Sequence, residues 1–153
     1  MPGAAYYKRS LVVPPSAIDE NGHVNNVEFI RWMQDAAIAH SDHVGGTAAT
    51  RACGAAWFAR EHHIEYVRPA YAGEHLSVIT WVASRVRVRS ERRYCVVRDS
   101  DRAVLARGKT VWIFVDQATQ KPRSIPKEVD ACYTLAVDES EAAALAWLKT
   151  TPT

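Results

Sequence analysis

Apolar positions change period once along this chain, from a helical spacing in the first third to near-alternation in the rest. Residues 6–13 (YYKRSLVV) are β-rich and stop at Pro14-Pro15, which predicts a first strand. Residues 16–24 are rich in turn formers and centre on Asn21-Gly22. Asn25 suits a helix N-cap, so Asn26 is expected to open a helix running to about residue 40. Val27, Ile30, Met33 and Ala37 fall on one face of it, and Phe29, Trp32 and Ala36 widen that face. Glu28, Arg31 and Asp35 leave only a narrow polar stripe, so the helix reads as a core element.

Residues 41–54 are small and flexible in composition and predict a connection holding at most one weak helical turn. Segments 55–67, 75–89, 92–98 and 103–115 alternate or run β-branched, separated by 68–73, by Ser90-Glu91 and by Asp99-Ser100-Asp101. Residues 117–126 read as loop, and Asp138 with Glu141 three positions on is a capping-box signature for a short helix to about residue 149. Strands joined by short turns pair antiparallel, which gives an α+β fold with a helix laid on an antiparallel sheet. The 153 residues suffice for one core, so a single domain over 1–153 is expected, with its core at about 6–126.

Composition narrows the chemistry. A net charge of +2 argues against a nucleic-acid partner. Cys53, Cys95 and Cys132 are odd in number and form no CxxC pair, so neither a zinc site nor a disulfide framework is expected. Residues 1–9 do not read as a secretory signal, and no apolar run reaches the ~18–20 residues of a membrane span. Buried, reduced thiols and a cytoplasmic location are the expectation.

The chemistry concentrates in Asp19-Glu20-Asn21-Gly22-His23-Val24-Asn25-Asn26, immediately ahead of the apolar helix. Such a segment brings a carboxylate close to the free N–H groups of a helix N-terminus. An ionised oxygen beside donors for a developing oxyanion is the minimum equipment for acyl transfer. On local spacing alone a solvated turn aspartate accounts for Asp19 better. His23 would orient water, bind a substrate carbonyl or lock the turn; Asn21, before a glycine, reads first as a turn residue and Asn25 as a cap.

This segment, the helix with Trp32, and then Ile64-Glu65-Tyr66-Val67-Arg68-Pro69-Ala70 with Gly73-Glu74 resemble the hotdog-fold acyl-CoA thioesterases, in particular the 4-hydroxybenzoyl-CoA thioesterase-like family. The likeness runs from about residue 6 to 126, where Gly108-Lys109-Thr110-Val111-Trp112 and Ile125-Pro126 fit the family's last strand and its exit. It implies a long helix wrapped by an antiparallel sheet, a homodimer as the minimal active unit and frequently a homotetramer. It also implies a thioester site at the dimer interface near the helix N-terminus. No metal or redox cofactor is implied; coenzyme A enters only as part of the substrate. In the single-carboxylate branch the aspartate ahead of the turn is nucleophile or general base, which matches Asp19. The N–H that polarises the carbonyl lies seven residues on, at Asn26.

The spacing Asp19-x-Asn21-x-His23 is also similar to plant-type acyl-acyl-carrier-protein thioesterases, where Asp, Asn and His act with a downstream glutamate. Here that glutamate's place falls near Pro69, and those proteins carry two hotdog units. The implied function is acyl-CoA hydrolysis using Asp19, His23, Asn26 and Asn21. Carrier-protein thioesters are the enzymatic alternative, and a module that binds acyl-CoA without turnover is the non-enzymatic one.

Other residues offer binding contacts. Arg85, Arg87 and Arg89 alternate with Val86 and Val88, which predicts three guanidiniums on one strand face. They read as a solvated charged face or as contacts to the phosphates of coenzyme A, with Arg68, Arg92 and Arg93 as further candidates. Trp57, Trp81 and Trp112 read as core or subunit contacts, with Trp57 a candidate for lining an acyl tunnel. His40, His43, His62 and His63 lack a carboxylate or cysteine at ligand spacing and read as surface or interface histidines, not metal ligands.

Overall fold

The structure, a computed structural model, describes residues 5–151; the start of the 1–9 stretch, expected to carry no secretory signal, lies outside the described residues. Five strands, β1 (Tyr6–Val12), β2 (Ala55–Tyr66), β3 (His75–Val86), β4 (Arg89–Arg98) and β5 (Val104–Asp116), form one antiparallel sheet in the order β1-β3-β4-β5-β2. The successive strands β3, β4 and β5 pair as neighbours in its middle, and β1 and β2 are the edges.

Strand alternation sorts the apolar side chains into two cores. Leu76, Val78, Tyr94 and Val96 face α1 (Asn26–His43) and pack on Phe29, Trp32, Met33, Ala36 and Ala37. The intervening Ile79, Trp81, Cys95 and Val97 face the other way and meet Ala144 and Leu148 of the last helix. Full burial of one such aliphatic or aromatic side chain contributes roughly 1.5–3 kcal/mol, so both faces of the sheet are held. A helix enclosed by an antiparallel sheet in this α+β arrangement is the hotdog fold that the sequence resembles. No helix among the described residues is long and apolar enough to cross a membrane.

Several local expectations need correction. The segment 41–54 is more helical than its composition predicts: α1 continues to His43, and α2 (Gly46–Ala52) follows. The β3–β4 hairpin turns at Arg87-Val88 and not at Ser90-Glu91, with Val86 opposite Arg89 and Arg85 opposite Ser90. Arg87 sits at φ 58, the left-handed region that turns usually give to glycine or asparagine, so its residue type hid the turn. Arg85, Arg87 and Arg89 therefore do not share one strand face. A single helical turn, α3 (Lys127–Asp130), follows the 117–126 loop. The final helix, α4 (Glu141–Thr150), is capped by Ser140, whose Oγ accepts the Ala143 N–H at 3.2 Å, and not by Asp138.

The buried stripe of α1 is also rotated from the expected one. Val27, in the first turn, is 57% exposed. The stripe extends instead to His40, which is buried rather than on a surface.

Candidate active site

The loop ahead of α1 is fixed by its own backbone. Ile18 bridges Val24, the Val24 N–H donates to the Ala70 carbonyl at 2.8 Å, and the Asn25 N–H to the Ala17 carbonyl at 2.9 Å. Within it the Asp19 N–H donates to the His23 carbonyl at 2.9 Å, and the Gly22 N–H to the Asp19 carbonyl at 3.0 Å. Gly22 takes φ 86, which a residue with a Cβ rarely adopts. Asp19 Oδ1 accepts the Asn21 N–H at 2.9 Å, leaving the carboxylate side chain 22% exposed.

His23 stands nearby, its Nδ1 3.9 Å from Asp19 Oδ2 and 3.4 Å from the Val24 carbonyl. Both separations exceed a firm hydrogen bond, so the ring has freedom to adjust. Asn21 contributes its backbone N–H to Asp19, while the residue itself is exposed.

At the helix start, Asn25 Oδ1 accepts the Val27 N–H at 3.1 Å and the Asn25 carbonyl accepts the Glu28 N–H at 2.9 Å. The Asn26 N–H between them finds no acceptor among the described residues, as the first turn of a helix allows. On the same peptide run, the Asn26 carbonyl accepts the Tyr66 hydroxyl at 3.1 Å, and the Tyr66 ring meets Phe29 edge-on at 5.7 Å. Burial raises the Tyr66 phenol above its ordinary value, so it keeps its proton and acts as donor. Sequence reasoning missed Tyr66, whose link to Asn26 spans 40 residues.

A cavity of about 440 Å³ opens under the second half of α1, lined by Trp57, Arg85, Ser90, Arg92, Trp112 and Tyr133 among others. Its α1 residues begin at Ala37, about 16 Å along the axis from Asn26 at ~1.5 Å per residue. Asp19 does not line it, so within one chain the carboxylate and the cavity lie toward opposite ends of α1.

Arg85, expected on one strand face with Arg87 and Arg89, and Arg92, a further candidate for phosphate contact, both point into this layer. Arg85 donates through Nε to Asp130 Oδ1 at 2.5 Å and through Nη2 to the Tyr133 carbonyl at 3.0 Å. Arg92, 4% exposed, donates through Nη1 to Thr80 Oγ1 at 3.0 Å and meets His40 Nδ1 at 2.9 Å. Tyr133 closes the layer by donating to Ser41 Oγ at 3.0 Å, and Gly46 makes room for it, since a Cβ there would lie 2.1 Å from the Tyr133 hydroxyl. Trp57 stands edge-on to Phe114 at 5.0 Å. Arg87 and Arg89 remain exposed at the hairpin. The helical spacing from Ala36 and Ala37 to His40 was the signal that could have found the buried imidazole.

Solved structures share this architecture. A 1,4-dihydroxy-2-naphthoyl-CoA thioesterase from Synechocystis superposes with a TM-score of 0.75 at 16% identity, covering 83% of this chain and 94% of its own. A Staphylococcus aureus protein solved in complex with CoA gives 0.75 at 14% identity, covering 88% and 90%. The 12:0-ACP thioesterase from Umbellularia californica gives 0.77 at 16% identity over 91% of this chain, which spans 54% of that one. No match is found among curated proteins. Residues 13–132 match the family model for the thioesterase-like superfamily, from the end of the first strand past the last one, and the chain belongs to that superfamily.

Proposed function

We propose that this chain hydrolyses an acyl-CoA thioester to the free acid and coenzyme A, with Asp19 as the catalytic carboxylate. The observation that carries this reading is the pairing of a fixed, largely shielded carboxylate with an unaccepted N–H at Asn26, both at the entrance to α1. With the thioester carbonyl against that N–H, the tetrahedral oxyanion gains a donor of a kind worth about 3–4 kcal/mol. Asp19 acts either as nucleophile, expelling the thiolate and leaving a mixed anhydride for water to open, or as general base toward water. A thiolate leaves readily, so neither route requires a strong general acid, metal or redox group. His23 is assigned the orientation of water or of the carbonyl, and Asn21 the fixing of Asp19 through its N–H.

A homodimer follows from the sheet edge in this reading. β2 ends the sheet, carries Trp57 at its start and Tyr66 at its end, and has a bulge between Ala59 and Glu61. Antiparallel pairing of two copies of β2 about that bulge would set the Ala55 end of one against the Tyr66 end of the other. The helix N-terminus of one copy would then meet the cavity mouth of the other, joining carboxylate and acyl pocket. Arg87 and Arg89 are left at the hairpin as contacts for the phosphates of coenzyme A.

The second reading, hydrolysis of acyl-carrier-protein thioesters, is favoured by the Asp19-x-Asn21-x-His23 spacing. Thiol release measured with matched acyl-CoA and acyl-carrier-protein donors tests both. Faster release from acyl-CoA is expected; faster release from the carrier protein selects the alternative. Stoichiometric acyl-CoA binding without thiol release would reduce the chain to a binding module.

A further inference from the structure

We propose that the cavity under the second half of α1 is a subsite for a terminal carboxylate, so that this chain's preferred thioesters are mono-CoA esters of dicarboxylic acids. The proposal deepens, and rests on, the thioesterase reading above.

Arg51, Arg85 and Arg92 line the cavity, and no Asp or Glu lines it. Arg85 has Asp130 as counter-ion, whereas no carboxylate pairs with Arg92 among the described residues. A guanidinium removed from water without an anion carries a penalty of several kcal/mol. Its Nη1 is used on two uncharged acceptors, Thr80 Oγ1 and His40 Nδ1. The remaining N–H groups of the fork have no acceptor among the described residues, and the side chain lines the cavity.

Arg85 Nη1, Trp57 Nε1 and Thr50 Oγ1 are buried without a hydrogen-bond partner, and all three residues line the same cavity. Buried donors without acceptors are rare in native proteins, and several around one cavity call for an acceptor-rich occupant. Water would satisfy N–H groups but not the charge; a carboxylate satisfies both, since its two oxygens match the planar fork of Arg92. Ala37, Val82 and the Trp57 ring supply the apolar wall that a methylene chain needs. A volume of about 440 Å³ is that of a small-molecule pocket.

The test compares thiol release by the full chain from succinyl-, glutaryl-, adipoyl- and suberoyl-CoA with release from the unbranched acyl-CoAs of equal length. At one length at least, kcat/KM is expected to favour the carboxylated ester tenfold or more. In Arg92→Met that ratio is expected to fall to near one. A wild-type ratio of one or below at every length overturns the proposal, as does a ratio that survives in Arg92→Met. If Arg92→Met does not fold, the wild-type ratio alone decides. If no thioester of any kind is cleaved, the thioesterase reading fails by itself, and calorimetry on the wild-type chain decides the subsite. Binding of free adipate or suberate, with neither hexanol nor inorganic phosphate binding, upholds it; phosphate binding in preference to the dicarboxylates, or no binding, overturns it.

Discussion

His40 Nδ1 lies 2.9 Å from Arg92 Nη1, in the layer between the central helix and β4. Because a guanidinium only donates, His40 must accept there, and its proton stays on Nε2. The Tyr7 ring stacks on the imidazole at 5.2 Å, and the Tyr133 ring meets it edge-on at 6.4 Å. Burial first, then the positive charge of Arg92 and of His43, lower the His40 pKa from 6.5 to about 3.

That arrangement makes the fold acid-sensitive at one identifiable group. The unfolded chain takes up the proton near pH 6.5 and the folded chain only near 3, so stability falls as the pH drops through this window. The slope from one such group is about 1.4 kcal/mol per pH unit. Urea midpoints measured from pH 7.5 down to 4.5 should decline, and His40→Asn, which keeps an acceptor for Arg92, should decline less steeply. An identical slope in the variant would remove His40 as the cause.

Asp19→Asn is expected to lower thiol release at least a hundredfold while the thermal midpoint moves by no more than a few degrees. The amide keeps an oxygen for the Asn21 N–H but has neither the charge nor the basicity of a carboxylate. Near-normal turnover would count against Asp19 as the reacting group.

His23→Ala should cost roughly 10- to 100-fold in turnover, at or below the lower end of the ~100- to 10,000-fold typical of acid–base groups. Its Nδ1 is 3.9 Å from Asp19 Oδ2, close enough to influence the carboxylate without being tied to it. Full activity would leave the ring only a place in the turn.

Gly46→Ala tests the packing beneath the cavity. The new methyl would fall 2.1 Å from the Tyr133 hydroxyl and 2.3 Å from its Cζ, so the ring has to leave its place against Ser41. Overpacking of this kind costs typically ~1–3 kcal/mol, read as a lowered urea midpoint. An unchanged midpoint would mean that the α2 segment adjusts freely.

What the sequence revealed depended on range. The strand order after α1 and the opening of that helix at Asn26 were legible, because period and capping are local properties of a few consecutive residues. The Asp19 loop was legible for the same reason: its carboxylate, its glycine and the helix start lie within eight positions. The hairpin at Arg87-Val88 was not, since neither residue carries a turn signature and the register is set by pairing with β4. Alternation told that Arg85 lies opposite its neighbours but not which face is inward. The environment of Arg92 depends on His40, 52 residues away, and no window along the chain contains both.

The α4 helix turns the thiol of Cys95 into a reporter. That thiol is fully buried, 3.6 Å from Glu141 at the helix start, and burial followed by the Glu141 charge drives its pKa upward. Alkylating reagents attack thiolates, so Cys95 resists them for as long as the C-terminal segment stays docked. Half-buried Cys53 and Cys132 offer an internal comparison in the same molecule. The lag of Cys95 labelling behind theirs measures how often the segment lifts away, without any added probe.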